Sequence, residues 1–184
     1  HKYFEHLSAA IFSHFLNSNY GEDVEWTCFP STSSSSDGGV DFFAFRSSFI
    51  RHDLFPAAFV GQSKLYATKS NTLMLQSSRS IHATTDLFRS TNSQRKWLSG
   101  YNQRLISELS SALTNPLKRP IPVLFILHHN ECNETHNSPD FSPLVFSFTT
   151  ICDILSRWLD DGNEIEDLVS QHAKKLASEY VKTD

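Results

Sequence analysis

The stretch Ile121–Leu127 (IPVLFIL) is apolar at every position and stops abruptly at His128 and His129. A strand with one wet face would alternate apolar with polar residues, and this one does not. It must therefore run through the middle of a sheet, with cover on both faces. Four other segments read as strands to set around it: EDVEWTCF (22–29), VDFFAFR (40–46), AAFVGQSKLYA (57–67) and LVFSFT (144–149). The cover comes from segments of helical period. KYFEHLSAAIFSHFLNSNYG places Phe4, Leu7, Ile11, Phe12 and Phe15 on one face and closes on Gly21. SQRKWLSGYNQRLISELSSALTN predicts a helix over 93–115, with Trp97, Leu98, Tyr101, Leu105, Ile106, Leu109 and Leu113 on one side and Pro116 and Pro120 beyond its end. TICDILSRWLDDG and NEIEDLVSQHAKKLASEY close the chain as two helices, the second with Asn163 as its N-cap.

The order is helix, three strands, helix, two strands, helices. It predicts an α/β fold, a mixed central sheet flanked by helices. A length of 184 residues suits one domain, with a core over about 1–130 and a helical extension over about 150–184. PSTSSSSDGG (30–39) and the Ser/Thr-rich 67–93 read as loops. The chain opens with His1 rather than Met, so we expect a piece of a longer protein, with other domains of that parent as neighbours. No run approaches the roughly 18 apolar residues of a membrane span. Three scattered cysteines, Cys28, Cys132 and Cys152, make no disulfide framework and suggest a reducing, intracellular compartment.

Charge is unevenly spread. Residues 46–119 hold eleven Lys/Arg against three Asp/Glu, while residues 1–45 hold one against six and residues 120–184 four against eleven. A basic middle between acidic ends makes one positive face that would take a polyanion such as DNA, with Arg46, Arg51, Lys69, Arg79, Arg89, Arg95 and Lys96 as phosphate contacts. The plainer alternative is that basic loops pair with acidic helices.

Asp41 opens one strand, and Gln62 and Lys64 lie two apart near the end of the next, so their side chains share a face. An Asp carboxylate is a hard oxygen ligand for magnesium or manganese, the Gln carbonyl is a neutral one, and a main-chain carbonyl such as that of Ser63 adds a third. A lysine beside metal-bound water orients it or stabilises charge on an attacked phosphate. Such a trio suits hydrolysis of a phosphodiester.

On these residues the chain resembles the PD-(D/E)xK nuclease superfamily, and within it the Mrr-like restriction endonuclease group, over roughly 3–130. The resemblance rests on Phe4-Glu5 in the opening helix, SDGGVDFFAF, FVGQSK, then an amphipathic helix and a buried strand. It implies a restriction-endonuclease-like sheet, DNA as substrate, a divalent Mg2+ or Mn2+ cofactor, and a setting that extends to the nucleus. It allows a homodimer. Residue by residue, Glu5 matches the helix acid, Asp41 the metal-binding Asp, Gln62 the position usually held by a second acid, Lys64 the catalytic lysine, and Gly38 and Gly39 the turn. The chain departs from the pattern in the longer gap between Asp41 and Gln62, in the insert at 67–93, and beyond about residue 130.

Other readings compete. Glu25 could stand in for Glu5. His128, His129, Cys132 and His136 have the types of zinc ligands but lack a second tightly spaced pair, so a polar loop is the simpler account. No G-x-S-x-G or Walker-type loop is present, Ser33–Ser36 read as linker, and Trp97 and Trp158 read as core. The alternative functions are a nuclease-like domain without catalysis that binds nucleic acid, and a protein-interaction module holding its partner through the acidic helices of 151–184.

Overall fold

The protein is described by a computed structural model over residues 2–20, 25–32, 40–46, 58–64, 96–114, 120–126 and 144–182. In chain order the elements are α1 (Lys2–Tyr20), β1 (Trp26–Pro30), β2 (Phe42–Arg46), β3 (Ala58–Lys64), α2 (Gln103–Leu113), β4 (Ile121–Ile126), β5 (Leu144–Phe146), α3 (Phe148–Asp160) and α4 (Ile165–Glu179). The strands make one sheet in the order β1-β2-β3-β4-β5. β1, β2 and β3 pair antiparallel, and β3, β4 and β5 pair parallel. The fold is mixed α/β. β4 lies inside the sheet, as its unbroken apolar run requires, and α2 lies in the crossover that a parallel β3–β4 pair needs. Among the described residues no helix is long and apolar enough to cross a membrane.

Strand alternation sorts the core into two layers. Trp26, Cys28, Phe42, Ala44, Phe59, Val123, Phe125 and Phe146 pack with α1 residues Ala9, Ile11, Phe12 and Leu16. Phe29, Phe43, Phe45, Ala58 and Val60 point the other way, onto Trp97, Leu98, Tyr101, Leu105 and Leu109. Trp97 is thus core, as expected, and Trp158 packs at the margin of the α1 layer.

Two helix starts differ from the sequence expectation. The helix expected over 93–115 is interrupted: Lys96 and Trp97 are helical, and a regular helix resumes only at Gln103. Ser99 and Gly100 form a turn, closed by Tyr101 N–H on Leu98 O at 3.0 Å, and Asn102 then caps α2 by accepting from Leu105 N–H at 3.1 Å. A capping Asn inside an apolar 3.6-residue pattern outweighs the pattern. The cap of α4 is Glu164 rather than Asn163. Glu164 and Asp167 form a reciprocal capping box, while the Asn163 amide donates to Trp158 O at 3.2 Å.

α4 is no appendage. Leu168 belongs to the α1 layer, and Leu176 and Tyr180 to the other, so the helix crosses the free edge of β1. There His172 donates a ring N–H to Cys28 O, and Lys175 pairs with Glu25. The edge of β1 is thereby covered, which is how a sheet avoids pairing with a stranger. Asn102 N–H on Tyr180 O at 2.7 Å and the Tyr101–Val181 bridge extend the clasp to α2.

Two expected outcomes follow from this packing. Gly61 pairs with Phe42, whose ring lies flat on the glycine where a Cβ would stand. Gly61→Ala should cost about 1–3 kcal/mol or more by overpacking, read as a fall in the urea midpoint, with part regained when Phe42→Leu is added. An unchanged midpoint would contradict the close approach.

Burial pushes His172 down from 6.5 to about 4; the Cys28 carbonyl works the other way, and His6 and Lys175 add to the lowering. The folded protein holds this imidazole neutral while the unfolded chain protonates it. Stability should therefore be full above pH 6.5 and fall by up to about 3 kcal/mol as pH drops toward 4. His172→Gln should flatten that slope in a series of urea melts. His14, lowered for the same reason, leaves a remnant.

Candidate functional site

The antiparallel ladder between β2 and β3 ends at Phe42–Gly61, and the residue before it breaks the pattern. In a regular ladder a hydrogen-bonded residue exchanges both backbone bonds with one partner. Asp41 splits them. Its N–H donates to Gly61 O on β3 at 2.8 Å, while its carbonyl accepts from Ser31 N–H, just past β1, at 2.8 Å. The backbone therefore turns at Asp41 and sets its carboxylate against the end of β3. There Oδ2 accepts the Ser63 N–H at 2.6 Å, a short, charge-assisted bond.

Ser63 is flanked by the two other residues of interest. Val60 and Ala58 belong to the α2 layer, and alternation carries Gln62 and Lys64 to that same side. Gln62 is 6% exposed, and its Oε1 is buried with no hydrogen-bond partner. The Ser63 Oγ is buried and unpartnered too. Lys64 is half-buried at the last position of β3, paired in register with Ile126. The structure thus brings Asp41, Gln62, Ser63 and Lys64 together at one end of the sheet, the carboxyl end of the parallel strands. That is where α/β sheets most often hold ligands.

Glu5 comes to the same end by the way α1 is docked, but on the opposite face, since α1 packs on the Phe42–Phe59–Phe125 layer while Gln62 and Lys64 point to the α2 layer. The Asn17 side chain donates to Trp26 O at 2.9 Å and accepts from Trp26 N–H at 2.9 Å, which ties the last turns of α1 to the start of β1. Phe12, mid-helix, meets Phe42 and Phe59 in mid-sheet. The helix therefore points its first turn toward Pro30 and Asp41, with Glu5 about 10 Å beyond Phe12 at 1.5 Å per residue. Glu25, the competing acid, lies at the far end, exposed and paired with Lys175.

The basic residues divide. Arg46 ends β2 opposite Trp26, at the far end of the sheet, and is 4% exposed. Burial lowers its pKa. It does not belong to a phosphate face around Asp41. β2 simply carries it away from Asp41 at about 3.4 Å per residue. Lys96 is exposed, and its neighbour Trp97 accepts the Thr32 N–H at 3.0 Å, just past the Ser31–Asp41 bond. Lys96 therefore stands at the Asp41 end. Arg51, Lys69, Arg79, Arg89 and Arg95 lie outside the described residues, as do Gly38, Gly39, Ser33–Ser36 and the His128–His136 cluster.

A cation fits the donor set at Asp41. The buried, unsatisfied Gln62 carbonyl needs a cation, a donor or a water, and it precedes in β3 the residue whose N–H holds the Asp41 carboxylate. The Ser63 carbonyl adds a hard ligand of the same kind. Among the described residues no three His, Cys, Asp or Glu side chains gather to hold a metal, which leaves Asp41 as the single strong ligand here. Comparison with family models, with curated proteins and with solved structures finds no match.

Asp41 also has a structural job. Asp41→Ala strands the Ser63 N–H and should lower stability by about 1.5–3 kcal/mol, whereas Asp41→Asn keeps an acceptor oxygen and should lose less. Thermal or urea melts of the two variants separate them, and equal stabilities of Ala and wild type would contradict the bond.

Proposed function

We propose that this chain is a metal-dependent DNA endonuclease of the PD-(D/E)xK type. The observation that carries the reading is the Asp41 carboxylate held on the N–H of Ser63, the residue that separates Gln62, with its buried unpartnered carbonyl, from Lys64 in β3. Support comes from the element order, in which an antiparallel β1-β2-β3 meander feeds a helix and then a parallel β4, with α1 aiming its acid-bearing first turn at the strand ends.

In this reading Asp41, Gln62 and the Ser63 carbonyl hold one Mg2+ or Mn2+. When bound, the ion would supply a lowered pKa for a coordinated water and polarisation of the phosphate. Lys64 supplies a positive charge beside the attacked phosphate or orients the water. Glu5, across the end of the sheet, completes the acidic surround. Lys96, with Arg51, Lys69, Arg79, Arg89 and Arg95, holds the DNA backbone, whose phosphates carry no sequence code. With one carboxylate among three oxygen ligands, affinity for the ion is weak, in keeping with the readiness of magnesium to keep its waters.

A second reading has its own support. Gln62 stands where a second acid would double the negative charge, so a domain that binds DNA without cutting it is the alternative. Incubation of supercoiled plasmid with magnesium decides between them. Wild type should nick it and lose that activity with EDTA. Lys64→Ala should fall by about 10²-fold or more, as losing one stabilising charge does, while still retarding DNA in a gel. A Lys64→Ala protein cutting at the wild-type rate would overturn the assignment. Salt-sensitive retardation without cleavage by wild type would establish the second reading.

A further inference from the structure

A groove of about 400 Å3 lies between the last turns of α1 and one side of α3. That volume lies in the range of small-molecule sites, about 300–1,000 Å3. Its α3 wall consists of two ridges at four-residue spacing. One runs Thr150, Ile154 and Trp158, apolar beyond its first member and faced by Phe15 from α1. The other alternates in charge: Asp153, Arg157, Asp161.

Charges four apart on a helix commonly pair, as Arg104 and Glu108 do on α2 at 3.0 Å. On α3 they do not. Among the described residues Arg157 makes no ion pair with Asp153, Asp161 or any other acid. Three charges of alternating sign stand beside an aromatic wall without neutralising one another. The wall itself is fixed, since the Trp158 indole N–H donates to Glu164 O at 2.7 Å and its ring meets the His14 ring edge-on at 5.0 Å. His14, kept neutral by partial burial against the pull of Asp161, offers ring nitrogens to a ligand rather than a competing charge.

We propose that the groove binds a free α-amino acid with an aromatic side chain. Arg157 takes the carboxylate, Asp161 with His14 takes the ammonium, and the side chain lies along Ile154, Trp158 and Phe15. The three requirements single out a zwitterion. A simple amine leaves Arg157 repelling it, a simple acid meets two aspartates, and neither uses both signs on the ridge. The groove shares no lining residue with the Asp41 site, so the proposal neither needs nor weakens the nuclease reading.

The test is titration of the whole chain, labelled with 15N at the indole and imidazole nitrogens, with L-phenylalanine, N-acetyl-L-phenylalanine and L-phenylalaninamide. Saturable shifts of Trp158 and His14 are expected with L-phenylalanine. Acetylation and amidation should each weaken binding at least about tenfold, as loss of a charge-assisted bond does. Arg157→Gln should erase the difference between the acid and the amide, and Asp161→Asn the difference between the free and acetylated amine. These side chains are exposed, so the variants keep the wild-type melting curve. No saturable shift with L-phenylalanine at millimolar concentration, or equal affinity for all three compounds, would overturn the proposal.

Discussion

A single ring holds the layers in register. Phe12 touches Phe42 of β2, Phe59 of β3, Phe125 of β4 and Phe146 of β5, with centroids 5.2 to 5.8 Å away. One side chain of α1 is thus fixed against four of the five strands. Three of the contacts are edge-to-face, the geometry in which aromatic quadrupoles attract. Fixing Phe12 at mid-sheet and Asn17 at Trp26 leaves α1 one direction to run. Its first turn, and Glu5 with it, must lie over the end where Asp41 and Lys64 sit. The catalytic reading depends on that docking as much as on the motif residues. Removing such a buried ring costs about 3–5 kcal/mol in typical cores.

The same sheet end needs two backbone irregularities. Gly61 lets the Phe42 ring lie on β3, and this close approach anchors the last regular pair of the ladder. One residue on, Asp41 parts its N–H and C=O between β3 and β1, and the carboxylate takes the bond a strand partner would have made to Ser63. Strand ends where a ladder gives way to side-chain bonding are common sites for re-aimed functional groups. Here the re-aimed carboxylate is held one residue past Gln62, whose buried amide oxygen has no hydrogen-bond partner.

Much of this was legible in the sequence because it depends on period and burial. The double-faced apolar run of 121–127 placed β4 inside the sheet, and the Phe-rich runs located β2 and β3 to within a few residues. The two-residue spacing of Gln62 and Lys64 put them on one side. What could not be read was set by partners far along the chain. Arg46 looked like a surface cation, yet a strand of five buried residues carries it to the opposite end. Tyr101 looked like the helical interior, yet its hydroxyl donates to Pro30 O at 2.9 Å and the helix starts after it. The closing helices looked like an extension, and the packing of Leu168 and Leu176 with the bonds of His172 to Cys28 and Lys175 to Glu25 shows that α4 seals the edge of β1. The charged ridge of α3 had a visible signal, an alternation of sign at four-residue steps, but that pattern alone also describes a solvated helix face.

The central claim is that Asp41 and Gln62 form one half of a divalent-ion site at the end of β3. Anomalous diffraction from crystals soaked in manganese tests it most directly. The account predicts a peak about 2.1–2.3 Å from an Asp41 carboxylate oxygen, with the Gln62 Oε1 turned onto the ion or onto one of its waters. Well-ordered crystals with manganese bound elsewhere, and the Asp41 carboxylate bonded only to Ser63, would contradict it.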